Sequence, residues 1–116
     1  MRRVVLAYLP LALWAAAVLL LGTLRLDTPD LPSGSDKAAH FILYAVGGAL
    51  AAWAGRKRRR ASAAWIALGL VLLTGAADEL HQATVPYRNA DIMDWVADAA
   101  GALLAFLVTD RLLKKE

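Results

Sequence analysis

The chain has 116 residues and a mass of 12.4 kDa, which leaves room for one domain. It is 59% hydrophobic and 20% charged, with a mean hydropathy of +0.50, whereas soluble domains are about 45–50% apolar. A soluble globule of this composition would expose large apolar patches, and a disordered chain would be poor in apolar residues. The absence of cysteine excludes a disulfide scaffold, a thiolate metal site and a cysteine nucleophile. Composition therefore indicates an integral membrane protein.

Four apolar segments follow one another along the chain. Residues 4–24 form an uncharged run of 21 residues, and a helix at about 1.5 Å per residue then crosses a bilayer core of about 30 Å. The runs at about 38–55, 61–77 and 92–108 hold 17 or 18 residues each, near the lower limit for spanning. No run alternates with period two. Residues 1–116 are predicted to form one all-α domain, an integral membrane bundle of four transmembrane helices. For the weaker runs, the alternative is an interfacial or re-entrant helix.

The first apolar run is predicted to be a retained helix rather than a cleaved signal peptide. Arg2 and Arg3 resemble the charged start of a signal peptide. However, the run is longer than the usual apolar region of about 7–15 residues, and no small-x-small cleavage site follows it.

Charge is divided unequally between the two sides of this four-helix layout. With the N-terminus in the cytoplasm, the inner segments hold ten basic and two acidic residues, net +8. The outer segments hold three basic and eight acidic residues, net −5, and the chain as a whole carries +3. This division follows the positive-inside rule for a multi-pass protein with cytoplasmic N- and C-termini. We interpret Arg56–Arg60 as a short topogenic loop rather than a nucleic-acid or anionic-lipid patch, and we expect no nucleic-acid partner.

Polar residues gather at the predicted outer ends of helices two, three and four. Three sets share a helical face or stripe: Asp36, His40 and Tyr44; Thr74, Asp78, Glu79 and Gln82; and Asp91, Asp94 and Asp98. Ionisable groups at membrane depth are costly and usually face a bundle interior or a wet cavity. We therefore predict one functional site on the extracytoplasmic side. Each part also has a structural interpretation: Asp36 and Asp91 as helix caps, His40 as a packing residue and Glu79 as part of an interfacial helix end.

The same residues carry a resemblance to a known family. The segment Asp36–Tyr44, DKAAHFILY, resembles the first signature of the VanZ-like family of small bacterial membrane proteins. Its second signature is similar to Asp78–Gln82 (DELHQ), Val85–Arg88 (VPYR) and Asp91–Asp94 (DIMD), followed by Gly101. The resemblance covers about residues 35–107. It implies a protein of the bacterial cytoplasmic membrane and cell envelope, in a family whose founding member is associated with resistance to the glycopeptide teicoplanin.

The resemblance also assigns site residues. The recurring polar positions of the family map onto Asp36, Lys37, His40, Tyr44, Glu79, Gln82, Arg88, Asp94 and Gly101. Where the family usually carries Asn, four residues after Asp94, this chain has Asp98, which adds a carboxyl group. Together with Asp91 and Asp98, these polar residues form the candidate ligand-binding cluster.

Three functions are compatible with this cluster. In the first, which we favour, a non-enzymatic envelope protein binds a lipid headgroup, a cell-wall precursor or a glycopeptide, and alters glycopeptide susceptibility. In the second, a small membrane enzyme holds a divalent cation on His40, Glu79 and Asp94, while Arg88 binds the phosphate of a lipid-linked substrate. The third is a proton- or cation-coupled carrier built as a dimer. The sequence requires no cofactor, leaves catalysis open, and is compatible with an oligomer surrounded by membrane lipid.

Overall fold

The structure, a computed structural model, describes residues 2–23, 35–84 and 92–114. These ranges contain four α-helices and no strand: α1 (Arg2–Thr23), α2 (Ser35–Arg58), α3 (Ala61–Ala83) and α4 (Ile92–Lys114). Each helix contains a segment long and apolar enough to cross a membrane. The predicted all-α bundle of four membrane helices is therefore confirmed. The cytoplasmic orientation of the termini stays a prediction.

The helices extend beyond the apolar runs that predicted them. α2 begins at Ser35 and continues to Arg58, and α3 continues through Asp78 to Ala83. Helical backbone satisfies its own hydrogen bonds, which a nonpolar medium requires, so polar residues near the membrane surface continue the helix. As a result Asp78 lies more than one turn inside α3 instead of in the loop that follows it.

A two-residue turn joins α2 to α3. The amide of Arg59 donates to the carbonyl of Arg56 at 3.1 Å, and that of Arg60 donates to the carbonyl of Gly55 at 3.3 Å. Arg59 has a positive φ of 55°. These two bonds with a left-handed residue between them form a Schellman cap, which ends α2 and reverses the chain. The reversal makes α2 and α3 antiparallel neighbours.

Helix α2 is the centre of the bundle. It packs most extensively against α4 and also contacts α1 and α3, while the described parts of α1 and α4 do not touch. A Cβ atom placed at Gly48 would overlap the backbone carbonyl of Ala102, and one at Gly101 would overlap that of Phe41. Residues without a side chain therefore let the two backbones come into direct contact. This close approach brings the N-terminal turns of α2 and α4 side by side.

Large apolar side chains cover the outside of the bundle. Leu13, Ile42 and Leu73 are exposed, whereas alanines such as Ala51 of α2 and Ala67 of α3 are buried in the core. In water such a surface would be an aggregation liability, but in a bilayer it is the surface that contacts lipid. The exposed faces therefore agree with a multi-pass membrane protein.

Candidate functional site

His40 and Asp98 meet where the N-terminal ends of α2 and α4 lie together. His40 Nδ1 is 2.8 Å from Asp98 Oδ1, across 58 residues of sequence. Asp98 is 1% exposed, while His40 is half-buried. The contact depends on the close packing of α2 on α4, because a wider separation would leave the carboxyl without its histidine. A buried carboxyl is thus held in place by one charge-assisted contact.

Tyr44 forms the floor of this site one turn further along α2. Its side chain is fully buried and stacks on the His40 ring, with ring centroids 6.3 Å apart and planes 2° from parallel. A Cβ atom at Gly75 of α3 would lie 3.3 Å from Tyr44 Cε1 and 3.4 Å from Asp98 Oδ2. The missing side chain at Gly75 therefore leaves a small space that Tyr44 and Asp98 both border.

Two polar atoms of the site lack a hydrogen bond. Within the described ranges, Tyr44 Oη and Asp98 Oδ2 are buried and have no hydrogen-bond partner. An unmade hydrogen bond of a buried group costs about 1–3 kcal/mol, and more when the group is charged. Both atoms can accept a hydrogen bond, and the tyrosine hydroxyl can also donate one. The site is therefore chemically suited to receive a polar group that completes these bonds.

Further carboxyl groups occupy the same end of the bundle. Asp78 and Asp94 are buried, and Glu79 is half-buried. Among the side chains described at this end, the only bases are His40 and His81. The described part of the site is therefore rich in hydrogen-bond acceptors and poor in positive charge.

The structure brings together only some of the residues expected from the sequence. His40, Tyr44 and Asp98 are in mutual proximity, and Gly101 provides the close helix contact beneath them. Arg88 and Asp91 lie outside the described residues, as do the side chains of Asp36, Lys37 and Gln82. The roles of these five residues stay predictions.

A metal centre finds no support in the described geometry. Across residues 2–23, 35–84 and 92–114, no group of three or more histidine and acidic side chains is arranged to hold a metal ion. His40 pairs instead with Asp98, which was not among the proposed ligands. The set His40, Glu79 and Asp94 thus remains a hypothesis from sequence.

Trp14 is a neighbour of the site that is not among the polar residues predicted from the sequence. Its indole Nε1 donates to the carbonyl of Leu43 at 3.0 Å, and its ring meets that of Tyr44 edge-on with centroids 5.2 Å apart. The ring occupies the volume that a side chain at Gly47 would need. In the sequence, Gly47 three residues after Tyr44 is the feature that indicates room for a large ring at this place.

Asp78 of α3 is also buried, although it was left out of the candidate cluster.

A comparison with known families gives a match for this chain. A family model described as VanZ/LLP1 matches residues 5–113. No match was found among curated proteins or among solved structures. The matched range contains α2 and α3 entirely, and with them every described residue of the polar site. The chain therefore belongs to the VanZ/LLP1 family.

Proposed function

We propose that the polar site binds the headgroup of an amphiphile of the bacterial envelope, and that through this binding the protein alters susceptibility to teicoplanin-type glycopeptides. The observation that carries the proposal is the pair of buried atoms, Asp98 Oδ2 and Tyr44 Oη, beside Gly75. In the orientation that the charge distribution predicts, this end faces the extracytoplasmic side, where glycopeptides act.

The charge of the site favours one class of headgroup. Carboxylates accept hydrogen bonds and repel anions, so a group carrying hydroxyl, amide or ammonium donors complements Asp98 better than a bare phosphate does. The Tyr44 hydroxyl can serve a donor or an acceptor of the same ligand. Sugar-bearing and peptide-bearing lipids of the envelope offer such groups. The described geometry therefore supports binding more than phosphate chemistry.

An apolar cleft beside the site supports a ligand that arrives through the membrane. The cleft lies between α1 and α3, has a volume of about 380 Å³, and is lined by residues that include Leu11, Trp14, Leu73 and Ala77. Trp14 lines the cleft and also packs against Tyr44. An acyl or isoprenoid chain in the cleft would thus lie one side chain away from the polar site.

The test is expression of the chain in a glycopeptide-susceptible bacterium, with susceptibility and surface uptake of teicoplanin as readouts. We expect the protein to change both. Tyr44→Phe removes the hydroxyl and keeps the ring, so it should weaken the effect through the loss of one hydrogen bond to the ligand. A neutral hydrogen bond is worth about 0.5–1.5 kcal/mol, and its loss reduces binding by roughly two- to tenfold. Asp98→Ala should also weaken it, since the buried carboxyl that would accept hydrogen bonds from the ligand is lost.

Ile92→Ala is the matched control, because Ile92 is 76% exposed on the same end of the bundle and its loss should leave the effect unchanged. Protein levels are compared by immunoblot. Unchanged susceptibility and uptake with the wild-type chain, or full effect in both site variants, would refute the proposal.

A further inference from the structure

The end of the bundle opposite the polar site holds a concentration of positive charge. One cavity of about 790 Å³ is lined by six cationic side chains and by no acidic one: Arg3, Arg56, Lys57, Arg58, Arg59 and Arg60. They come from α1, from the last turn of α2 and from the turn that follows it. Like charges this close repel one another, so an anion in the cavity would relieve the repulsion.

A second cavity lies on the other side of the same turn. It has a volume of about 570 Å³ and shares Arg56, Arg59 and Arg60 with the first. One part of its wall is apolar and contains Trp65, Phe106 and Leu107, and Asp110 and Lys114 of α4 also line it. The three arginines therefore lie between a cavity whose charged lining residues are all cationic and a cavity with an aromatic wall.

The acidic side chain that lines the second cavity pairs with a lysine of α4 rather than with these arginines. Asp110 Oδ2 is paired with Lys114 Nζ at 2.9 Å, within α4. In the first cavity, Lys57 lies over the Trp53 ring, 5.3 Å from its centroid, which holds the lysine at the wall. The shared arginines remain the cations best placed to contact a ligand that spans both spaces.

The left-handed residue of the turn adds a second observation. Arg59 has a φ of 55°, a conformation that favours glycine and that other residues adopt at a cost. A glycine would form the same cap more easily, but it would remove a cation from the boundary between the two cavities. The turn thus retains an arginine at a position where the backbone alone would favour glycine.

We propose that an anionic phospholipid binds at the α2–α3 turn, with its phosphate among Arg56, Arg59 and Arg60 and an acyl chain along the apolar wall. The apolar wall of the second cavity favours a lipid over a free anion or a nucleic acid, because a lipid has an acyl chain that can cover it. Trp65 of this wall is 56% exposed and lies beside the cations near the end of a spanning helix. Headgroups and aromatic side chains occupy that depth of a membrane. The proposal is independent of the function of the opposite end. It replaces the interpretation of these arginines as topogenic residues alone, because the sequence did not show the two cavities that they line.

The test is native mass spectrometry of the purified full chain in detergent, with phosphatidylglycerol and phosphatidylcholine of identical acyl chains. We expect the wild type to retain phosphatidylglycerol preferentially. Arg59→Gln with Arg60→Gln should reduce that preference about tenfold, since each cation near an anionic lipid strengthens binding severalfold. Arg59→Gly serves as a second variant, because it keeps or improves the turn while removing the charge.

The control is Arg2→Gln with Arg111→Gln, which removes the same charge from the same end without touching either cavity. Its preference should equal that of the wild type. Glycerol phosphate tests the free anion, and it should not displace the lipid. Equal retention of the two lipids, an equal loss in the control, or displacement by glycerol phosphate would each overturn the proposal.

Discussion

At the scale of single residues, two contacts between a basic and an acidic side chain have nearly equal lengths and very different surroundings. His40 and Asp98 are 2.8 Å apart with side chains 19% and 2% exposed, whereas Lys114 and Asp110 are 2.9 Å apart with side chains 64% and 24% exposed. Attraction between charges grows as the dielectric constant falls, and exposed pairs lose most of it to solvent. The buried pair should therefore couple α2 to α4, while the exposed pair should contribute little to stability.

Double-mutant cycles measure this difference. We expect a coupling energy of about 1–3 kcal/mol for His40→Ala with Asp98→Ala, because either single change leaves a buried partner unsatisfied. The cycle for Lys114→Ala with Asp110→Ala should give about 0.5 kcal/mol or less. Unfolding of the purified protein in mixed detergent and dodecyl sulfate provides the free energies. Equal couplings in the two cycles would show that the site pair is not insulated from solvent.

At the scale of helices, three glycines meet different surroundings. At Gly48 and Gly101 an added Cβ atom would overlap the backbone of the facing helix, whereas at Gly69 it would have no neighbour within 4 Å. Helix propensity favours alanine over glycine equally at all three positions. A comparison of identical substitutions therefore isolates the packing of α2 against α4.

We expect Gly48→Ala to destabilise the protein by about 1–3 kcal/mol, because the facing backbone has to move. Gly69→Ala should be neutral or should stabilise by up to about 1 kcal/mol. Thermal unfolding in detergent, followed by circular dichroism, compares the two. If both variants unfold at the same temperature, the α2–α4 contact is not as close as the structure has it.

At the scale of the whole molecule, the two ends of the bundle are chemically opposite. One end carries the acidic site with His40, and the other carries the arginines of the α2–α3 turn. A membrane potential and the positive-inside rule act on such a difference during insertion. We therefore predict the orientation of the whole bundle from charge rather than from packing.

Cysteine labelling of intact cells tests that orientation. The chain contains no cysteine, so a single added thiol has no background. A cysteine at position 31 should react with an impermeant thiol reagent, because the segment between the first two helices is predicted to be outside. A cysteine at position 58 should react only after the membrane is opened. The reverse labelling would invert the sidedness of both proposed sites.

Much of this architecture follows from local features of the sequence. The number of helices depends on the length and hydropathy of each segment, and the expected orientation depends on the sum of charges between segments. Neither quantity requires knowledge of which helix faces which. Helical spacing also places His40 and Tyr44 on one face of α2, where their rings stack in the structure.

Contacts between side chains of different helices could not be predicted from these local features. Spacing within α4 did not distinguish Asp94 from Asp98 as the partner of His40, and hydropathy gave no reason to place Trp14 against Tyr44. Both contacts depend on how far each helix is rotated about its axis and how closely the backbones approach. The absence of side chains at Gly48, Gly75 and Gly101 permits this close approach. Hydropathy and charge are additive along a chain, but the meeting of two side chains 58 residues apart is a property of the packed bundle alone.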